Sequence, residues 1–457
     1  MEAGLFRFLR FSLGLEGEVK NLLDGRKGSF DWDACYQFAK RQTLVGVLFD
    51  GIQRLPKELA PARPLLLRWL SDSENIRRRN MRMDRASAYI YNKVCAAGFR
   101  CCILKGQGNA LLYPHPSSRI PGDVDVWVMA NREELRHIAL SLTEGDGLSL
   151  QESLNHIGLT VHGVSVELHS TPALLNSPLH NSRLQRWLKR NADLQCSNRI
   201  ALPNNAGEVA VPTVSFNIIY QLCHLFHHCF YEGVGLRQIV DYYFVLKNTD
   251  FSGNTDEGAG NTDRDEVFLN TDYTDFTDRF SGNTDEGCFL LNTDCMDSTD
   301  SSSGDFEGDG CLLNTDCTDF LDSSSGGLVE VDSGGALVAL QEELKWLGLW
   351  KFAGAVMYVL REVMGLDEKR MICAPDERRG RLLLEEIMAG GNFGHYDERN
   401  HFGQGALWHN IQRFRRDWRM LRFYPSEALS EPLFRVCHFL WRWKQKHTGK
   451  PKERNRN

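Results

Sequence analysis

The chain has 457 residues, 42% of them hydrophobic, with 53 Lys and Arg against 60 Asp and Glu, a formal charge of −7 and 13 cysteines. That length suits about two to four domains of roughly 100–200 residues. The acid is local: residues 248–335 hold 22 acidic and 2 basic side chains, leaving 51 basic against 38 acidic elsewhere, so the remainder favours an anionic ligand such as a nucleotide or nucleic acid.

No uncharged apolar run approaches the ~18–20 residues that span a bilayer; the nearest, residues 346–360, has Lys351 near its middle. The start, MEAGLFRFLRFSLGLEGEV, lacks a continuous apolar stretch followed by a small-residue cleavage site. An odd number of cysteines without a CxxC pair points to reduced thiols and away from structural zinc. The expectation is a cytoplasmic protein with no membrane partner.

Residues 1–98 read as a helical region. The run 32–55 carries helix-period apolar residues (Phe38, Leu44, Val47, Leu48, Ile52), and a second run, 65–95, bears a solvated basic group at Arg77, Arg78, Arg79 and Arg82. From residue 99 the pattern changes, and 99–212 reads as a separate core. FRCCIL is a short strand ending at Lys105 and Gly106, and GNALLYP is a short helix stopped by prolines. DVDVWV (123–128) alternates with period two, so Asp123 and Asp125 share one face while Val124, Val126 and Val128 share the other. Asn131 caps a helix over 132–142, with Glu134 completing a capping box. LQESLNHIGLTV and VSVELHS, joined at His162 and Gly163, read as a hairpin.

Residues 213–247 return to a helical period, interrupted at Gly233 and Gly235. In 248–335 Asn-Thr-Asp occurs seven times, FSGNTDEG twice and LNTDC twice. Such a stretch buries too little apolar area to offset chain entropy and reads as a disordered repeat insertion, dispensable for folding. Its Asp-rich turns match neither the EF-hand nor the nonapeptide calcium spacing. Residues 336–446 are helical again, and 447–457 form a loose polar tail.

The chemistry concentrates around Asp123 and Asp125. Magnesium wants carboxylate oxygens, and two carboxylates at i and i+2 of a strand can hold two ions about 4 Å apart. Glu167, on the later strand, supplies a third acid. Gly106, Gly108 and Asn109 offer a glycine turn with free backbone N–H groups for phosphate, and Lys105 and Arg119 fixed cations for a triphosphate. A lone D-x-D is also compatible with a solvated edge, and Lys105 with an exposed side chain.

ILKGQGNALLYPHPSSRIPGDVDVWV resembles the uncharacterised nucleotidyltransferase family of the DNA polymerase beta superfamily, with its Leu-Lys-Gly, downstream Arg and D-h-D strand. VSVELHS, GLRQIVDYYFVL and GGNFG are similar to further family segments. The resemblance implies an α+β fold, a polymerase-beta-like core of small mixed sheet and helices with helical flanks. It also implies NTP as a partner, Mg2+ or Mn2+ as cofactor, and Asp123, Asp125 and Glu167 as catalytic metal ligands. The acceptor (small molecule, sugar, RNA or protein) and the oligomeric state stay open. Two departures stand out: Lys-Gly or Gly-Asn replaces the superfamily's Gly-Ser turn, and Glu replaces the commoner third Asp.

Other residues admit two readings. His169 shares the face of Glu167 and is either a phosphate contact or a structural histidine. Arg237 and Asp241, at i and i+4, are an intrahelical pair or orient substrate. His224, His227 and His228 have helical spacing but no matching carboxylate for a metal. Gly390 to Gly394 caps a helix or forms a phosphate loop. The C-terminal mixture of Arg413, Arg415, Arg416, Trp418, Trp441 and Trp443 fits single-stranded nucleic acid or amphipathic packing. Three functions follow: a nucleotidyltransferase, a toxin–antitoxin-like protein modifying or binding tRNA or protein, and a non-catalytic NTP-binding scaffold.

Overall fold

The computed structural model describes residues 2–17, 30–143, 150–249, 333–397, 399 and 406–448. Residues 250–332 of the repeat insertion and most of the tail therefore lie outside the described residues. Among those described, no helix is long and apolar enough to cross a membrane.

Four helices precede the sheet: α1 (Glu2–Ser12), α2 (Trp32–Arg41), α3 (Val45–Gln53) and α4 (Arg63–Ala96). The sequence pattern over 32–55 suggests one helical run, but the chain breaks between α2 and α3, with Thr43 at φ 54°. The break places Gln42 in the interior, where its amide donates to Ile387 O at 3.0 Å and accepts from Leu236 N at 2.9 Å. Apolar periodicity continues across such a corner and cannot register it.

The sheet contains β1 (Cys101–Leu104), β2 (Val124–Val128), β3 (Gln151–Glu152), β4 (His156–Val161) and β5 (Val164–His169), in the order β1-β2-β5-β4-β3. β2 and β5 are parallel and the other neighbours antiparallel. Every residue of β1 and β2 is buried, and each buried valine of β2 contributes about 1.5–3 kcal/mol. His162 and Gly163 both have positive φ, 51° and 73°, which a two-residue hairpin turn twisted with its strands requires.

Helix α5 (Gly106–Ala110) follows β1, and α6 (Arg132–Leu142) follows β2. The anticipated capping box at α6 is present: Asn131 Oδ1 accepts from Glu134 N at 3.0 Å, and Asn131 N donates to Glu134 Oε2 at 2.7 Å. Asn131→Ala should lower stability by about 1 kcal/mol, read as a shifted urea midpoint with an unchanged slope.

Beyond the sheet come α7 (Pro178–Ser197), a hairpin of β6 (Arg199–Leu202) and β7 (Gly207–Ala210), then α8 (Val214–Tyr231) and α9 (Leu236–Lys247). The C-terminal helices are α10 (Ser333–Trp346), α11 (Trp350–Met364), α12 (Glu377–Gly390), α13 (Ala406–Leu421) and α14 (Pro425–Thr448). Gly391 and its neighbours turn the chain at the end of α12, as the capping reading held. A Cβ on Gly233 would lie 3.0 Å from Gly394 N, so Gly233, at φ 114°, permits the two loops to touch.

The long helix α4 sets the loop ahead of β2. Asn80 Nδ2 donates to Ser117 O at 2.9 Å and to Arg119 O at 2.8 Å, and Arg79 Nη2 donates to Gly122 O at 3.1 Å. Gln107 donates to the buried Asp84, tying α5 to the same helix. The residues leading into the Asp123 position are thus fixed by α4.

Candidate functional site

Strand register brings the three acids together. In the parallel pair Asp125 stands opposite Glu167, and in the antiparallel pair Leu104 stands opposite Asp125, so Lys105 emerges beside that carboxylate. Asp123 lies just before β2 and shares the face of Asp125, because alternate side chains project together. Ligand atoms of Asp123, Asp125 and Glu167 all lie within 4.8 Å of one another, and so do those of His156, Glu167 and His169. Both groups open into a cleft of about 610 Å³, walled on its far side by α8 and α9.

Two cations sit among the acids. Lys105 Nζ is 3.0 Å from Asp125 Oδ2 and 2.9 Å from His224 Nε2. His169 Nε2 is 3.0 Å from Asp125 Oδ1 and 3.3 Å from Glu167 Oε2. Burial alone would raise the Asp125 carboxyl, but the Lys105 ammonium and the His169 hydrogen bond hold it well below the usual range. The negative charge of Asp125, then burial, raises Asp123. Burial would also raise Glu167, and the His169 hydrogen bond brings it below normal. For His169 burial is outweighed by hydrogen bonds to Asp125 and Glu167, which lift it to about 9. His224, buried and facing Lys105, is pushed far down and so accepts from the ammonium as a neutral ring.

The donor chemistry suits a hard divalent ion, three carboxylates at close range, while Asp125 has Oδ1 paired with His169 and Oδ2 with Lys105. Lys105 carries a further mark of constraint, φ 49° and ψ −125°, a backbone conformation that costs a non-glycine residue about 1–3 kcal/mol.

The remaining expected residues divide. Gly106 and Asn109 line the cleft; Asn109 Oδ1 accepts from Gln221 Nε2 at 3.0 Å, and its buried Nδ2 has no partner among the described residues. Gly108 lies outside the residues that line the cleft, and a Cβ there would come within 3.1 Å of Val211 Cγ1. Its lack of a side chain serves helix packing. Arg119 reaches the cleft wall but is committed to Asp241, with Nε and Nη2 each 2.7 Å from one carboxylate oxygen. Tyr113 OH donates to the same carboxylate at 2.7 Å.

The intrahelical pairing of Arg237 with Asp241 is likewise corrected. The loop before β2 crosses α9 and inserts Arg119 against Asp241, while Arg237 Nη1 donates to Ile120 O at 2.8 Å. Burial would raise Asp241, and the Arg119 charge and hydrogen bond hold it down. Burial and the Arg119 charge push Arg237 down. Arg119 thus contacts the carboxylate directly while Arg237 feels its charge, and among the described residues Arg119 Nη1 and Arg237 Nε have no hydrogen-bond partner.

The histidines of α8 do not gather as a metal group. His224 Nε2 is 2.8 Å from His228 Nε2, and His228 Nδ1 is 3.1 Å from Glu232 Oε2. A line of polar contacts therefore leads from Asp125 through Lys105 to Glu232, which sequence reading missed although the i,i+4 spacing of His224 and His228 was its signal. Phe393 of the GGNFG turn also lines the cleft, its ring 5.1 Å from that of His228. In the C-terminal basic segment Trp441 stacks on Arg132 at 4.5 Å and Arg435 pairs with Asp417 at 3.0 Å, while Trp418 and Trp443 are exposed.

The family model described as uncharacterised nucleotidyltransferase matches residues 28–259. Among solved structures the chain is similar to an antigenic nucleotidyltransferase-like protein from Paracoccidioides brasiliensis, at 15% identity and a TM-score of 0.24, covering 36% of this chain and 75% of that one. No curated protein matches the sequence.

Proposed function

The chain belongs to the uncharacterised nucleotidyltransferase family, and from that premise we propose that it transfers NMP from an NTP to an acceptor hydroxyl, with release of pyrophosphate, in a magnesium-dependent reaction. One observation carries this reading: Asp123, Asp125 and Glu167 present ligand atoms within 4.8 Å of one another in a cleft that also holds Lys105. Magnesium held by these three carboxylates would lower the pKa of the acceptor hydroxyl and neutralise charge on the leaving pyrophosphate.

The chain's own groups have separable tasks. Lys105 keeps Asp125 ionised in the absence of metal and turns to the triphosphate when NTP enters. Neutral His224 holds the ammonium at the cleft floor in both states. The unpaired N–H groups of Arg119 and Arg237 offer donors to phosphate oxygens that no carboxylate in the wall already takes. Lys105→Ala should cost about a hundredfold in turnover, the size of losing one preorganised charge-stabilising donor, and should raise the KM for NTP. Steady-state pyrophosphate release measures both.

Incubation of the purified protein with each NTP, magnesium and cell extract, followed by mass spectrometry of nucleotide-labelled products, tests the reading and names the acceptor. Pyrophosphate release and an NMP-bearing product are expected; no product with any NTP argues against it. The Lys105–Asp125 ion pair favours a second reading, an NTP-binding scaffold without transfer. On that reading nucleotide binds, no pyrophosphate forms, and Lys105 stays on Asp125.

A further inference from the structure

A second donor set shares Glu167 with the acidic group. In the antiparallel pairing of β4 and β5, His156 lies directly across from His169, and Glu167 sits two residues before His169 on the same face. Gly158 lies across from Glu167, so β4 places no side chain over the carboxylate. His156 Nε2 is 3.7 Å from Glu167 Oε1, and His169 Nε2 is 3.3 Å from Glu167 Oε2.

The 3.3 Å and 3.7 Å separations bracket the spacing of neighbouring ligands around an ion. Zinc-type bonds to imidazole nitrogen and carboxylate oxygen are about 2.0–2.2 Å long, and the edge of a tetrahedron built on them is about 3.4 Å. His169 Nε2 also lies 3.0 Å from Asp125 Oδ1, and a bound ion would take the place of the proton shared there. The donor types differ from those of the acidic group as well. Two imidazoles and one carboxylate suit borderline transition ions, whereas magnesium takes oxygen ligands. His156 is a quarter exposed, so an ion and its remaining water or substrate ligand can approach from the cleft.

We infer that His156, Glu167 and His169 form a nitrogen-rich position for a divalent transition ion such as Zn2+, Co2+ or Mn2+, distinct from the all-oxygen position at Asp123, Asp125 and Glu167. Glu167 belongs to both groups and would bridge the two positions. The bridging half rests on the nucleotidyltransferase reading; the His156–Glu167–His169 position does not.

Cobalt(II) is the probe, because its visible absorption reports coordination number and nitrogen ligation directly. The full chain, stripped with chelator and titrated with Co2+, should bind one equivalent with the intense visible band of a four- or five-coordinate site. An excess of magnesium of about a hundredfold should leave that band in place, since nitrogen donors favour cobalt. His156→Gln should weaken cobalt binding at least about tenfold, a loss that even outer-shell changes at metal sites reach. Asp123→Asn should abolish magnesium-dependent transfer while keeping the cobalt band, which separates failure of one reading from failure of the other. Absence of the band in the unaltered protein, or a band lost in Asp123→Asn yet untouched by His156→Gln, would overturn the inference. Melting curves with and without Co2+ verify that both variants are folded.

Discussion

Replacing Asp123 and Asp125 together with asparagine should remove at least about a thousandfold of magnesium-dependent nucleotidyl transfer. Asparagine keeps the shape of each side chain and removes the charge a metal needs, and because Lys105 and His169 also lose a buried partner the folded fraction is measured alongside turnover. In the structure Asp125 is buried and held ionised by Lys105 and His169, and its charge raises Asp123. The substitutions erase that field: Lys105 loses its carboxylate partner, and no hard-cation position remains beside Glu167. Pyrophosphate release with each NTP, measured beside a melting curve, checks the prediction. Turnover equal to that of the unaltered chain would exclude these acids as the metal site.

The second large effect is on stability. Asp241→Ala should cost about 3–5 kcal/mol, because it breaks a buried ion pair by removing one partner. Three groups lose their acceptor or counter-charge at once. Arg119 gives up both 2.7 Å contacts, Tyr113 OH gives up its 2.7 Å contact, and Arg237 is left facing a second buried guanidinium. Against a total stability of about 5–15 kcal/mol, that loss brings the chain close to its folding limit. Tyr113→Phe removes a single hydrogen bond to the same carboxylate and should cost about 1.5–3 kcal/mol.

The pH dependence has a definite sign. Asp241 is lower in the folded chain than in the unfolded one, so the unfolded state binds its proton first. The stabilisation is present above about pH 4 and is lost as pH falls through the lower folded value. Urea midpoints of the unaltered chain and Asp241→Asn, compared from neutral pH downward, should therefore converge in acid.

What was legible in the sequence was local. Alternation over 123–128, the Asn131–Glu134 box and the His162–Gly163 turn are each encoded within a few residues, and each is observed. The mixed sheet with helices and helical flanks agrees with the α+β expectation, and the register that places Glu167 beside Asp125 follows from the hairpin once β2 and β5 pair. The misreadings are long-range. Arg119 and Asp241 lie 122 residues apart, and nothing near either one announces the other; i,i+4 spacing pointed to Arg237 instead. Gly108 resembles a phosphate-turn glycine in sequence, yet its close neighbour Val211 arrives from another hairpin. Lys105 stands beside the acids as the motif suggests, but its two partners, Asp125 on β2 and His224 on α8, come from outside its own segment. The repeat insertion, a reading from composition alone, lies outside the described residues.

The most direct measurement is anomalous diffraction from crystals grown with Mn2+ and a non-hydrolysable NTP. An ion peak bounded by Asp123, Asp125 and Glu167 at about 2.2 Å from their oxygens, with Lys105 moved from Asp125 to the triphosphate, is the expected result. Bound nucleotide with no ion among the three carboxylates, and Lys105 still paired with Asp125, would contradict it.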